Sequence, residues 1–159
     1  MGLMDKMKNL KNSVTGDWAT VSVHFEDPVS RGGTLNATAD VTVKNSAITI
    51  EGVIVEVRCE EIIDISNATV WESGSTTSAR SATGRATANE TVVDKEVKAA
   101  GPQELAAGSS STYTAAIPIP TTAPPSMVGR NARYEWQVRA RLDMKGNDPD
   151  SGWQTLQVS

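Results

Sequence analysis

Cysteine and histidine are scarce in this chain of 159 residues, which has Cys59 and His24 as its only residues of these types. A single cysteine cannot form an intrachain disulfide, and a single histidine cannot supply a pair of imidazole ligands. Cys59 alternates with Val55 and Val57, so we interpret it as a buried, inert thiol; a nucleophile would need a neighbouring base. Phosphate-binding glycine loops and serine nucleophile elbows are missing as well. We therefore predict a protein that is not an enzyme and binds neither a metal nor a cofactor.

An excess of positive charge and a long apolar run are missing too. The formal net charge is −4 and the isoelectric point is near 5.0, whereas proteins that hold phosphate backbones carry basic surfaces. No stretch approaches the roughly 18 apolar residues that suggest a membrane span, and the N-terminus lacks the apolar core of a secretory signal. We expect a cytoplasmic protein without a nucleic-acid partner.

Aromatic residues make up only 4% of the sequence, while Val, Ile, Thr, Ala and Ser are abundant. β-Branched residues fit the pleated surface of a sheet, and apolar and polar side chains alternate along most of the chain, which is typical of half-buried strands. The length suits one domain. We predict an all-β fold, a single antiparallel β-sandwich of about seven strands over residues 17–159.

Two interruptions of the alternation carry predictions of their own. The apolar phase slips by one residue at Glu51-Gly52, which predicts a bulge or bend there. Residues 73–89 consist of Ser, Thr, Ala, Gly, Asn and two arginines. They offer too little apolar surface to offset the entropy lost when the segment becomes ordered. We predict a flexible loop over residues 73–89.

The last long strand follows a segment with four prolines in eight residues, Pro118 to Pro125. Proline cannot donate to a strand ladder, so these residues should end one strand and fix an extended connection to the next. Trp136 shares its face with other apolar residues and is predicted to lie in the core. The opposite face mixes arginines with acids, which favours ion pairs over a basic nucleic-acid platform. Its charged residues are Arg133, Glu135, Arg139, Arg141 and Asp143.

The N-terminal segment is the one good helix candidate. Residues 1–16 begin with apolar side chains at helical spacing and with more lysine than acid, which predicts a short amphipathic helix. Such a helix needs a surface to cover its apolar stripe; docking on the sandwich and binding a partner or membrane surface both remain open. Methionines favour an adaptable contact surface, so we assign partner binding to the stripe. It consists of Leu3, Met4, Met7, Leu10 and Val14.

Several segments resemble a known fold in their order along the chain. "DPVSRGGTLNATADVTVK" followed by "AITIEGVIVEVRCEEI" resembles the opening of the arrestin fold, where a turn containing glycine leads into an alternating strand and then a longer one. "ELAAGSSSTYTAAIPIPTTAPPSM" and "ARYEWQVRARLDMKGNDPD" are similar to later segments of bacterial sporulation-control proteins, a half-arrestin family. The resemblance spans roughly residues 18–158. It implies an arrestin-like, immunoglobulin-like sandwich with adaptor function, without a match to the family's second sandwich or to the arrestin phosphate switch.

These observations lead to one functional hypothesis and two alternatives. The first is a non-enzymatic, arrestin-like protein-binding or scaffold module, regulatory in a bacterial or archaeal cell, with an unknown protein partner. The second is a self-assembling subunit, a homo-oligomer joined through strand edges. The third is a carbohydrate-binding sandwich that stacks sugars on Trp18, Trp71 or Trp153. Weak contact of the N-terminal helix with a membrane surface is compatible with the first two.

Deletion of residues 1–14 tests the role of the N-terminal stripe. If the stripe binds elsewhere, the melting temperature should stay nearly unchanged while self-association, partner capture or binding to anionic vesicles weakens. Thermal unfolding and vesicle co-sedimentation of the two proteins measure both effects. A deletion that unfolds the sandwich and changes none of the binding measurements would place the helix in the core instead.

Overall fold

A computed structural model of the protein describes residues 18–72, 80–146 and 148–159, in which all regular secondary structure is β-strand. No helix in this part of the chain is long and apolar enough to cross a membrane. The N-terminal helix predicted over residues 1–16 lies outside the described residues. The strands are β1 (Ala19–Phe25), β2 (Thr34–Val43), β3 (Ile48–Ile50), β4 (Gly52–Glu72), β5 (Arg80–Ala100), β6 (Gln103–Leu105), β7 (Ser110–Pro118), β8 (Met127–Val128), β9 (Ala132–Asp143) and β10 (Gln154–Leu156).

The strands form two main antiparallel sheets and one small one. One main sheet has the order β1-β2-β7, the other has the order β10-β9-β4-β5 with β8 also paired to β9, and β3 pairs with β6. The prediction of an all-β, antiparallel architecture is confirmed. The described part of the chain contains ten strands where about seven were expected, because β3, β6, β8 and β10 have only two or three residues, too few for a pattern to reveal.

A single apolar core lies between the two main sheets. The alternating apolar residues of β1, β2, β4 and β9 are buried there, except that Phe25 and Tyr134 at the ends of their rows are only partly buried, and Cys59 lies among them with no exposure. Alternation places every second residue of these strands on the inner face, so the sequence pattern and the buried set coincide. Trp136 is the largest of the fully buried side chains.

The chain changes sheets at Glu51, between β3 and β4. The bend predicted at Glu51-Gly52 is therefore confirmed, and it is the point at which the apolar phase slips. A Cβ on Gly52 would lie 2.9 Å from the carbonyl oxygen of Ala100 and 2.7 Å from Cε of Lys98. Glycine is needed here because β5 passes too close for any larger side chain.

The predicted loop over residues 73–89 is wrong for residues 80–89, which belong to β5. Residues 73–79 lie outside the described residues. The prediction weighed only apolar burial, whereas β4 supplies backbone hydrogen-bond partners to β5 along the pairing from Val53↔Ala100 to Glu72↔Arg80. Threonine also favours strands, so a polar segment without a core contact forms one half of a hairpin.

The proline-rich segment ends β7 and connects it to the next strand, as its sequence predicts, and it packs on the core. β7 ends at Pro118, and the indole Nε1 of Trp136 donates a hydrogen bond to the carbonyl oxygen of Pro124 at 2.9 Å. Two residues of the same connection, Ile119 and Ala123, are buried against the core. The tryptophan thus fills the core and also holds the segment that covers it.

Truncation of Trp136 tests this double role. Trp136→Ala should lower the free energy of unfolding by about 3–5 kcal/mol, because it opens a cavity in a fully buried site and removes the hydrogen bond to Pro124. Urea denaturation measures the loss, and Trp18→Ala is a matched control because Trp18 is 50% exposed. A loss at Trp136 no larger than that of the control would contradict the assignment of this face to the core.

Candidate interaction surface

The hairpin of β4 and β5 extends past the rest of its sheet. Both strands have 21 residues, but β9 pairs with β4 only from Gly52 to Ile63. The amide of Asp64 still donates to the carbonyl of Asn131 at 2.8 Å, and beyond it the two strands pair only with each other among the described residues. We call residues 64–72 and 80–87 the β-ribbon. At about 3.3 Å per residue it reaches roughly 30 Å from the sheet.

In residues 64–69 and 83–87, the β-ribbon has mostly small and polar side chains. Apart from Ile65, which is half-buried, residues 64–69 and 83–87 are Ala, Gly, Ser, Thr, Asn, Asp and Arg. One ion pair joins the two strands: Nε of Arg85 donates to Oδ1 of Asp64 at 2.7 Å, and the second guanidinium nitrogen contacts Oδ2. The hydrogen bond from Arg85 lowers the pKa of the Asp64 carboxyl below its ordinary value. In this part of the ribbon the small side chains leave the backbone N–H and C=O groups at its edges accessible.

The outer edge of β5 differs between its two halves. Beside the sandwich, the register with β4 shifts at Val92 and again at Ala99, where β5 has one extra residue. Lys95 lies opposite buried Val57, so this charged side chain is on the inner face of an edge strand. Bulges and inward charges block the addition of another strand. From Thr91 outward to Thr83, β5 has no proline and no extra residue, since the register shift between Ile65 and Ala68 places the extra residue on β4. Glu90, opposite Glu61, is the inward charge of this part of β5.

The arginines of β9 are held by acids, and they form no open basic face. Glu56 of β4 accepts from Nε of Arg139 at 2.7 Å and from Nε of Arg141 at 3.1 Å. Arg133 pairs with Glu135 of its own strand, as the sequence predicts, whereas Arg139 and Arg141 reach across to β4. Glu56 lies directly opposite Arg139 and diagonal to Arg141, which is within reach of long side chains, so these ion pairs are internal to the sheet.

Trp153 packs on this charged face. The guanidinium carbons of Arg58 and Arg139 lie 4.0 and 4.5 Å from the centre of its ring, which is within cation–π distance. Arg58 also donates to the amide oxygen of Gln137 at 2.8 Å. The ring predicted as a sugar platform is therefore covered by the protein's own arginines. Trp18 is half-exposed, and the side chain of Trp71 lies outside the described residues.

The other residues singled out in the sequence do not come together in one site. His24 lies 3.1 Å from Asp40 on the outer face of the three-stranded sheet, far along the fold from buried Cys59. Among the residues that the structure describes, no group of three or more His, Cys, Asp or Glu side chains is arranged to hold a metal ion. The predicted partner-binding stripe lies outside the described residues. It consists of Leu3, Met4, Met7, Leu10 and Val14.

Sequence reasoning missed the β-ribbon, although a signal for it was present. No proline occurs between Pro28 and Pro102, so nothing in the covalent chain prevents two long uninterrupted strands. Thr83, Thr87 and Thr91 recur at even spacing, which places these β-branched residues on one face of a strand. Thr83 and Thr87 were assigned to a loop because their segment lacks apolar neighbours.

The ionisation of Cys59 gives a test of its environment. Burial, followed by the charges of Glu60 and Glu61, raises the pKa of this thiol to about 11 from an ordinary value of 9.0. The unfolded thiol therefore ionises first as pH rises, and the free energy of unfolding should fall between about pH 9 and pH 11 by about 3 kcal/mol. Urea denaturation across this range measures the loss.

The variant Cys59→Ala is the control, because it removes the titrating group and leaves every other ionisable residue in place. Its pH profile should be flatter than that of the wild type in this window. Two parallel profiles would show that the thiol has an ordinary pKa and is not buried as described.

Comparison with solved structures identifies a protein with a similar fold. No family model matches the chain, and no curated protein matches it in sequence. Among solved structures, the crystal structure of Spo0M, sporulation control protein, from Bacillus subtilis superimposes with a TM-score of 0.60 at 18% sequence identity. The match covers 91% of this chain and 50% of that one, so the chain spans half the length of Spo0M. The arrestin-like fold expected from the sequence resemblance is thereby confirmed.

Proposed function

We propose that this chain is a non-enzymatic, arrestin-like protein-binding module that acts in the cytoplasm as a scaffold or regulatory subunit. The β-ribbon is the observation that carries the proposal. It projects from the sandwich, and both of its outer edges lack a described strand partner. The fold shared with Spo0M supports a regulatory role of the kind that the name of that protein states.

Unpaired strand edges favour a polypeptide partner over other ligands. Outward-facing N–H and C=O groups of β5 can form a ladder only with another extended backbone, which is the basis of recognition by strand addition. The charged face around Glu56 and Trp153 is satisfied by its own ion pairs, so it offers less to a partner than the ribbon does.

A two-stranded ribbon also needs a partner for stability. An isolated hairpin is marginally stable in water, and three strands or a packed apolar face are normally required. In the described residues the ribbon has neither beyond Asp64. The bound partner supplies the third strand, and the N-terminal stripe provides a second contact to the same or another protein.

Site-specific photo-crosslinking tests the proposal. A photoreactive amino acid at Thr87, on the exposed face of β5, should yield a discrete protein adduct when the chain is produced in its own host. The matched control is the same substitution at Asn36, an exposed residue on the central strand of the other sheet. Equal labelling at the two positions, or no protein adduct at Thr87, would overturn the assignment of the ribbon as the binding surface.

A further inference from the structure

The free part of the β5 edge has a nearly palindromic sequence. Residues 83–91 read "TGRATANET", with Thr87 at the centre. Reversal about that centre places Thr83 against Thr91 and Arg85 against Asn89, with the alanines at 86 and 88 against each other. Any strand can pair antiparallel with a second copy of itself, because an isologous two-fold contact uses the same patch on both subunits. About this centre the threonines and the alanines of one copy face residues of the same type in the other.

The faces of β5 agree with such pairing. Every second residue of a strand points to the same face, so one row here shares a face and alternates with Gly84, Ala86, Ala88 and Glu90. The row consists of Thr83, Arg85, Thr87, Asn89 and Thr91. Thr87 lies opposite Asp64 of β4, which fixes this row on the outer face of the sheet. In the two-fold pairing, threonine meets threonine at the centre, a favourable cross-strand pair, and the alanines meet on the other face without a clash.

Registers centred on a charged residue oppose like charges. Centring the two-fold axis on Arg85 would place two guanidinium groups side by side, and centring it on Glu90 would do the same with two carboxylates. Directly opposed like charges destabilise a strand pair. Centring on Thr87 avoids both, since Arg85 then faces Asn89 and Glu90 faces Gly84. The nearest registers, centred on Ala86 and Ala88, oppose no like charges either, but they place Thr87 against Arg85 or Asn89 and so lose the favourable threonine pairs.

The charge of the ribbon also permits close approach of two copies. The described ribbon strands and the adjoining residues to Thr91 contain Arg80 and Arg85 against Asp64, Glu72 and Glu90. They are nearly neutral within a chain whose formal net charge is −4, so acidic repulsion lies mainly elsewhere. The bulge at Val92 and the inward Lys95 end the compatible edge on the sandwich side, which limits the contact to the outer half of β5.

We propose that the partner of the β-ribbon is a second copy of this chain, joined antiparallel through residues 83–91 of β5 around a two-fold axis at Thr87. This inference rests on the proposed function, because it names the partner of the same surface. The two ribbons then form a continuous four-stranded sheet, β4-β5-β5-β4, between two sandwiches. The outer edges of β4 remain at its margins.

The first test is the mass of the protein in solution. Analytical ultracentrifugation of the full chain at about 100 µM should show a dimer that dissociates on dilution. Thr87→Lys should weaken dimerisation roughly tenfold or more, because two lysines would face each other at the axis. Within each chain that lysine lies opposite Asp64, so the hairpin itself tolerates the change. Thr114→Lys, an equal charge change on an exposed position of β7, should leave the dimer intact.

Cysteine pairs test the register in a Cys59→Ala background. Thr87→Cys should form an intermolecular disulfide under mild oxidation, because paired strands bring opposite Cα atoms within disulfide range. Thr83→Cys and Thr91→Cys should each cross-link poorly alone and efficiently when mixed. A dimer that survives Thr87→Lys, or mixed cysteine variants that cross-link no better than each alone, would overturn this interface.

A monomer at every concentration would also overturn the inference. The proposed function has a separate readout, since the photoreactive group at Thr87 can still yield an adduct with a different protein. An adduct with another protein and a monomeric chain would retain the binding surface and refute the second copy as its occupant. Loss of the adduct together with a monomeric chain would refute both.

Discussion

Backbone pairing on both edges of β4 is the constraint on which the structure depends. This strand pairs with β9 along Gly52–Ile63 and with β5 from Val53 to Glu72, so one continuous ladder connects the buried centre of the sheet to the ribbon outside it. The buried side chains of β4 lie directly opposite those of β9; Cys59, for example, is paired with Trp136. A slip of one residue would turn the entire row toward water. Pairing on both edges of β4 and burial of its apolar side chains therefore favour the same register.

The sheet switch before β4 makes this pairing possible. β3 belongs with β6 in a small sheet, and the chain bends at Glu51 before β4 enters the larger one. Gly52 permits the close passage of β5 at that point. At the opposite end of the core, the hydrogen bond from Trp136 to Pro124 holds the proline segment over the open end of the sandwich. The two features together set where the sandwich ends and where the ribbon begins.

The distribution of polar groups favours the ribbon over the charged face as the proposed surface for a partner. Glu56, Arg139 and Arg141 satisfy one another across neighbouring strands, and Trp153 covers part of that face. Breaking such contacts to admit a ligand would lose interactions already made. The outward backbone groups of the ribbon have no such partners in the described residues, so an added strand gains hydrogen bonds there without disrupting any within the sheet.

The sequence by itself determined the all-β class, the inner rows of the long strands, the bend at Glu51-Gly52 and the core position of Trp136, because alternation and glycine or proline chemistry are local properties. It also placed an arrestin-like order of segments along the chain. Only the tertiary structure decided that residues 80–89 are strand, that Arg139 and Arg141 bind Glu56, and that β5 leaves an edge free. These depend on which strands become neighbours, and pairing between residues far apart in the chain leaves no periodic signal in either strand alone.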